Sequence, residues 1–306
     1  MTAEVTLWSG EVVQLPELLA WDVSRTDGSL CDSFTVCVPM PFSQSARLAE
    51  ATRLTLRSNG GTVFTGVVDE IQTQWSDDGF FAEIAGRGMG ALLIDNEVTA
   101  ARFEKATLSE LLRRYAAPFG IRADAEEFPS LDGFSITTGD SCMQVLKGYC
   151  RHVGAQKPRF LADGTLYLRR FRTQSAPPIQ EREVLEAQWG LCCCEVLSSV
   201  ITVSGRGIQQ ETENAAFQAQ CGRRRRVRSD SGGLSATSRT AQEMIEESEE
   251  ERDTLILKLA GERAYEPGCG VWVELPTLGV RATYGIRQVR RRGSEKGITT
   301  QLTLYR

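Results

Sequence analysis

Residues 64–88, FTGVVDEIQTQWSDDGFFAEIAGRG, constrain the fold more than any other part of the chain. Two segments of alternating apolar and polar residues flank Ser76-Asp77-Asp78-Gly79. Side chains two apart then share a face, and the chain reverses at a tight turn, which defines an antiparallel hairpin. The segment runs straight into Gly86-Arg87-Gly88-Met89-Gly90-Ala91, a G-x-G-x-x-A form of the dinucleotide-binding fingerprint. That fingerprint needs a buried parallel strand before it, a helix whose N-terminus holds pyrophosphate, and an acidic residue about 20 positions on. Here the preceding strand belongs to a hairpin, and the stretch after Ala91 is soon broken by Asp95-Asn96-Glu97. The glycines read as a corner where the chain leaves a small barrel, and no cofactor is indicated.

The rest of residues 1–98 has the same character. Val5 and Leu7 alternate, as do Phe34, Val36 and Val38, and Leu54 and Leu56 precede the hairpin signal Asn59-Gly60-Gly61. Residues 99–178 differ. Thr107 and Glu110 have the spacing of a capping box, as do Ser141 and Gln144. Each opens a helix with an apolar stripe, Leu108, Leu111, Leu112 and Tyr115 in the first and Val145, Leu146, Tyr149 and Val153 in the second. A hairpin around Asp163-Gly164 completes an α+β unit. Past Pro177-Pro178, residues 179–306 return to β, with strands expected near 196–206, 254–260, 271–275, 284–290 and 299–305. The first of these is expected to pair with the last segment, because an isolated strand would leave open edges. Residues 207–253 then form an excursion carrying the arginine run and an acidic helix that begins near Thr240. VITVSGRG at 200–207 echoes FAEIAGRG at 81–88, a weak hint of duplication. The fold class is mainly β with an α+β insert.

The chemistry is sparse. With 306 residues the chain can build real cores without staples. Its net charge of −5 argues against specific nucleic-acid binding. No apolar run reaches the length of a membrane span, and Met1-Thr2-Ala3-Glu4 lacks the layout of a secretory signal. The nine cysteines include no C-x-x-C pair, and His152 is the only histidine, so no metal site is expected. The cysteines, with Cys192, Cys193 and Cys194 adjacent among them, read as small semi-apolar core residues. Cys150 lies two positions from His152 on one helix, so the two point apart. No phosphate loop or nucleophile elbow is present. The chain is not expected to be an enzyme.

Four stretches in this order, VFTGVVDEIQTQWSDDGFFAEIAGRG, TLSELLRRYAAPFGI, FLADGTLYLRRF, and AYEPGCGVWVELPTLGVRATYGIRQVRRRGSEKGITTQLTL, resemble the phage Mu-type baseplate hub proteins, relatives of the late-control gene D tail proteins. The resemblance implies two tail-tube-like antiparallel β-barrels, 1–98 and 179–306, joined by the α+β unit. It implies a structural hub protein of a contractile tail or tail-like particle, built in the bacterial cytoplasm. A homotrimer would join the hexameric tail tube to the trimeric central spike, with baseplate wedge proteins as further neighbours. Two other classes stay open, a tail-tip cell-wall hydrolase and a glycan- or receptor-binding β module. The arginine run and the cysteine cluster depart from the family.

Arg223, Arg224, Arg225 and Arg226 admit two readings. One is a solvated loop leading into the Ser/Gly-rich stretch after Arg228. The other is a docking patch for acidic protein surface, with Glu246 and Glu250 on the acidic helix as the nearest candidate partners, in the same or a neighbouring subunit.

Overall fold

Asn59 and Gly60 both have positive φ, 49° and 79°, as the two central residues of a type I′ turn must. This turn joins β5 (Ala51–Ser58) to β6 (Gly61–Ser76) in the computed structural model. The structure describes residues 1–27, 31–40, 47–77, 79–169, 175–203, 207, 209–217, 225–230, 234–250 and 252–306. Before this hairpin come β1 (Thr2–Leu7), β2 (Val12–Gln14), β3 (Ala20–Thr26) and β4 (Ser33–Pro39); after it comes β7 (Gly79–Gly88). They pair in the order β3-β4-β7-β6-β5-β1-β2, antiparallel throughout. Strand alternation then does the packing. Val5, Val23, Phe34, Val36, Leu54, Leu56, Phe64 and Ile84, drawn from both ends of the order, meet in one core. The sheet is therefore rolled into a barrel.

The middle unit has its own core, which begins at Met89 and Leu93. It contains α1 (Ala91–Ile94), α2 (Leu108–Tyr115) and α3 (Cys142–His152). It also holds the pair β8 (Ala101–Ala106) and β10 (Leu131–Ile136), and a small sheet of β9 (Ala123–Ala125), β11 (Arg159–Phe160) and β12 (Leu166–Leu168). Ser141 and Gln144 form a full capping box on α3. On α2 only half of the expected box forms. Thr107 accepts from the Glu110 N–H, while the Glu110 carboxylate turns to Arg114 one turn on, at 2.6 Å. An i,i+4 ion pair competes for the same side chain and wins.

β13 (Ser175–Gln180) and β14 (Val184–Leu191) open the second barrel, which β18 (Asp253–Ala260), β19 (Gly270–Leu275), β20 (Val280–Ser294) and β21 (Gly297–Tyr305) complete. Between them lie β15 (Ser199–Val203), β16 (Gln209–Glu213), β17 (Arg226–Asp230) and α4 (Ala241–Glu249). The pairing expected of 196–206 with the last segment does not form among the described residues. β15 pairs with β16 and β17, and it is β14 that pairs with β18. The physical reason is that Leu197 and Val200 find their apolar partners on α4, Ala241 and Ile245, and so make a separate small core. The detour out of the barrel thus starts after Leu191 rather than at 207.

The two barrels share one topology. β14-β18-β21-β20-β19-β13 repeats β3-β4-β7-β6-β5-β1, with the strands in the same chain order. All neighbours are antiparallel in both, except that β13 and β19 run parallel where β1 and β5 are antiparallel. The long hairpins match residue for residue: Asp69 and Arg287 occupy the same bulge, and Gly79 and Gly297 close the same turn. The Gly-Arg-Gly echo is not this repeat, since β7 corresponds to β21 and not to β15.

Candidate assembly interface

The barrels are sewn together by β3 and β20, which pair antiparallel from Trp21 opposite Gly293 to Thr26 opposite Gln288. This joins both into one 13-stranded sheet. Across the seam Asp22 accepts from Arg290, Nε at 2.8 Å and Nη2 at 2.6 Å, and from Arg292 Nε at 2.8 Å. Gln288 donates to Ser24 Oγ at 2.7 Å. Arg291, between the two outward arginines, faces the opposite way. It is 6% exposed and donates to the carbonyls of Arg263 and Tyr265. Burial lowers its pKa. Alternation along a strand thus splits one arginine triplet into a surface pair and a buried carbonyl clamp.

Beneath the seam the three units meet. Arg25, also 6% exposed, donates to Glu266 of the second barrel at 2.5 Å and to the Phe160 carbonyl of the middle unit at 3.2 Å. Arg159 reaches the Pro267 carbonyl at 3.2 Å and lies over the Tyr167 ring. Asp32 accepts from the Thr26 backbone at 2.8 Å and sits 4.0 Å from Arg25. Burial pushes its carboxyl up to about 6, and Arg25 only partly offsets this. A cavity of about 30 Å³, lined by Thr26, Cys31, Asp32, Met143, Lys147 and Arg159 among others, has room for water alone.

A second junction clips the excursion onto α3. Ala236 packs on Gly148, and a Cβ at 148 would lie 2.2 Å from the Ala236 carbonyl oxygen. The backbones of Ser135, Leu234 and Ala236 exchange hydrogen bonds, and Arg151 donates to the Ser238 carbonyl at 3.0 Å. His152 Nε2 lies 2.9 Å from the Ser235 carbonyl and 3.2 Å from Ser238 Oγ. The lone histidine is thus a clip, while Cys150 is buried, its thiol pushed up to about 12. Beside the clip, a cleft of about 600 Å³ sets Lys147, Arg151, Lys157, Arg239 and Arg287 against Glu243, Glu246, Glu247 and Glu250. Desolvation first, then Lys157 and Arg151, lower the Lys147 pKa.

The residues singled out from the sequence fall in two places. Glu246 and Glu250 line this cleft, where Glu250 pairs with Lys157 at 3.0 Å and Glu246 accepts from Gln242. Arg225 instead bonds the Glu195 carboxylate and carbonyl, and Arg226 bonds Glu211 at 2.9 Å and Ser199 at 3.2 Å. Arg223 and Arg224 lie outside the described residues. What sequence reasoning missed is the seam, whose only signal was the in–out alternation of Arg290, Arg291 and Arg292.

The fingerprint glycines are filled by protein. A Cβ at Gly86 would meet the Val67 carbonyl oxygen at 2.0 Å and the Phe34 ring at 2.7 Å, and one at Gly88 would meet Asp32 Cβ at 2.9 Å. They let strands and side chains close on each other. Among the described residues no cluster of His, Cys, Asp and Glu could hold a metal, and no helix is long and apolar enough to cross a membrane.

Two barrels of one topology around an α+β unit are the fold of phage tail proteins. Over 100% of this chain and 96% of theirs, it matches a tail protein from Neisseria meningitidis MC58, with TM-score 0.81 and 19% identity. It matches the prophage MuSo2 43 kDa tail protein from Shewanella oneidensis over the same shares, with TM-score 0.77 and 16% identity. An E. coli type VI secretion component described as similar to the T4 tail proteins gp27 and gp5 follows at TM-score 0.59 and 10% identity, over 96% of this chain and 74% of that one. Within that class the chain is similar, in sequence and in fold, to the Mu-type baseplate hub proteins. It is 26% identical over 132 residues to baseplate hub protein gp44 of Escherichia phage Mu, a stretch that covers 40% of this chain and 35% of the Mu protein. No family model matches.

Proposed function

We propose that this chain is the structural hub of a contractile phage tail or tail-like particle, a trimeric adaptor between the hexameric tail tube and the trimeric central spike. The observation that carries this reading is the repeat. Two barrels with the same strand order and hairpin register, fused in one chain, let three copies present six similar faces to a six-fold tube while keeping three-fold symmetry below. Such an adaptor needs surfaces rather than a reaction centre, and fits the buried state of Cys150 and the clip role of His152. The partners are the tube ring and the spike. The site of action is the virion tail or released particle. The test is to mix the purified chain with the cognate tube protein and image the product. A three-fold ring capping the tube is the expected result; a dimeric or six-copy arrangement at that position overturns the reading. Muropeptide release by the purified chain would instead establish a cell-wall hydrolase.

A further inference from the structure

The two barrels share a topology, but only one of their two equivalent seams is made within the chain. In the second barrel, β20 pairs with β19 up to Gly285 and then, past its bulge, offers residues 288–293 to β3. In the first barrel, β6 likewise pairs with β5 up to Val67, and past its bulge residues 70–75 have β7 as their one strand partner among the described residues. The counterpart of β3 is β14, which among the described residues pairs only with β18. Each chain therefore carries one unused copy of each side of its own seam.

The side chains on these two edges are those of an interface, not of a solvated surface. Trp75 is 78% exposed, Leu191 56% and Trp189 49%. They lie on the inward faces of their sheets. Trp189 is opposite Leu255 and Ala187 opposite Leu257, both 0% exposed, while Ile71 and Thr73 are opposite the buried Ile84 and Ala82. A long exposed apolar edge of this kind invites strand pairing unless something covers it.

We propose that β14 of one copy pairs antiparallel with residues 70–75 of β6 in a second copy of this chain, extending the sheet from subunit to subunit. The proposal rests on the reading that copies of this chain assemble. The occupant follows from continuity with the β3–β20 seam, whose register fixes the new one. Position by position, Trp21, Asp22, Val23, Ser24 and Arg25 correspond to Ala187, Gln188, Trp189, Gly190 and Leu191, because both strands hold the same register to their neighbours. Through the shared hairpin, Gly293, Arg292, Arg291, Arg290 and Val289 correspond to Trp75, Gln74, Thr73, Gln72 and Ile71.

Transferring the observed pairs puts Leu191 opposite Ile71, Trp189 opposite Thr73, and Ala187 opposite Trp75. The large-against-small contact of Trp21 with Gly293 is kept with its sides exchanged. On the other face, the Asp22–Arg290–Arg292 cluster becomes Gln188 facing Gln74 and Gln72. Amide meets amide, no like charges are opposed, and the apolar row is continuous. One β14 edge and one β6 edge per copy make the contact head-to-tail, the arrangement that closes into rings.

The test is disulfide capture at the inferred register, in the full chain with Cys192, Cys193 and Cys194 changed to serine. Gln188→Cys and Gln74→Cys sit on the polar face and leave both tryptophans in place. Directly paired antiparallel residues have Cα atoms about 4.5 to 5.5 Å apart, within disulfide reach. Mild oxidation should give covalent oligomers whose cross-link maps by mass spectrometry to 188 and 74 of different copies. The pair Gln188→Cys with Gln72→Cys, one step out of register, should cross-link far less. Separately, Trp75→Ser should leave the circular dichroism spectrum of the monomer unchanged and weaken self-association about 30-fold or more, as for a buried interface tryptophan. Oligomers that form without the 188–74 link overturn this interface but leave the adaptor reading standing. A chain that caps its tube in copies that cross-link equally at 188–72 overturns the register, and one that stays monomeric and unlinked at every concentration overturns the pairing itself.

Discussion

The indole of Trp21 fills the space that any side chain at position 293 would need: a Cβ there would lie 2.2 Å from Trp21 Nε1. This contact sits in the seam that makes one sheet of two barrels, so it couples their stabilities. Gly293→Ala should destabilise the chain by about 1 to 3 kcal/mol, the usual cost of overpacking. Trp21→Phe should relieve part of that cost. Denaturant melts of the two single variants and the double variant form the cycle that checks it. Additive effects would mean the two residues do not press on each other.

Asp32 makes the junction less stable as pH rises. Its carboxyl is raised from 3.8 to about 6, mainly by burial, so the folded chain holds this proton more tightly than the unfolded chain does. Stability from this group is therefore greatest below the unfolded value and falls as pH rises through about 4 to 6. The charged form costs on the order of 3 kcal/mol at neutral pH. Arg25 and Glu266 are the charged groups facing it, with Lys147 lining the same cavity. Asp32→Asn should remove this slope and raise stability at pH 8. Unfolding free energies measured at pH 4.5 and pH 8 for both chains decide it; equal slopes would count against the buried charge.

The hairpins of both barrels were legible in the sequence because Ser76 to Gly79 and Ser294 to Gly297 frame turns between alternating segments. Their equivalence was not. Alternation fixes which face a residue takes but leaves its identity free, so matched positions such as Trp75 and Gly293 share nothing. The Gly-Arg-Gly echo pointed to β15, which builds a core with α4 instead. β14 was missed because VLEAQWGL carries helix-favouring residues and, at a sheet edge, buries almost none of its side chains. Edge strands gain stability from a neighbour that the sequence of one chain does not display. The sequence reading took no notice of Arg290, Arg291 and Arg292 as a group, and only the register of β20 shows that Arg291 points inward.

Gly148 is the seat of the excursion on α3. Alanine there would put its Cβ 2.2 Å from a backbone oxygen of Ala236, which cannot swing aside as a side chain can. Gly148→Ala should therefore lift residues 234–238 off the helix while both barrel cores persist. Hydrogen exchange reads this directly: the Ala236 amide, now bonded to the Ser135 carbonyl at 3.0 Å, should exchange at least ten times faster. Strand amides in β20 should be unaffected. If the Ala236 amide keeps its protection, the clip has another seat.

The arginine run is the last surface to test. Arg225 and Arg226 spend their charge on Glu195 and Glu211, and side chains exposed as these are contribute about 0 to 1 kcal/mol per pair. Changing Arg223, Arg224, Arg225 and Arg226 to serine should therefore lower folding stability by no more than about 2 kcal/mol. If the run also docks acidic protein surface, the second of its two readings, the variant should assemble more weakly than the parent at 50 mM salt. The two should converge near 0.5 M, where screening removes the attraction. Sedimentation velocity at both salt concentrations checks this. Identical assembly of parent and variant at low salt would make the run a linker between β16 and β17 and nothing more.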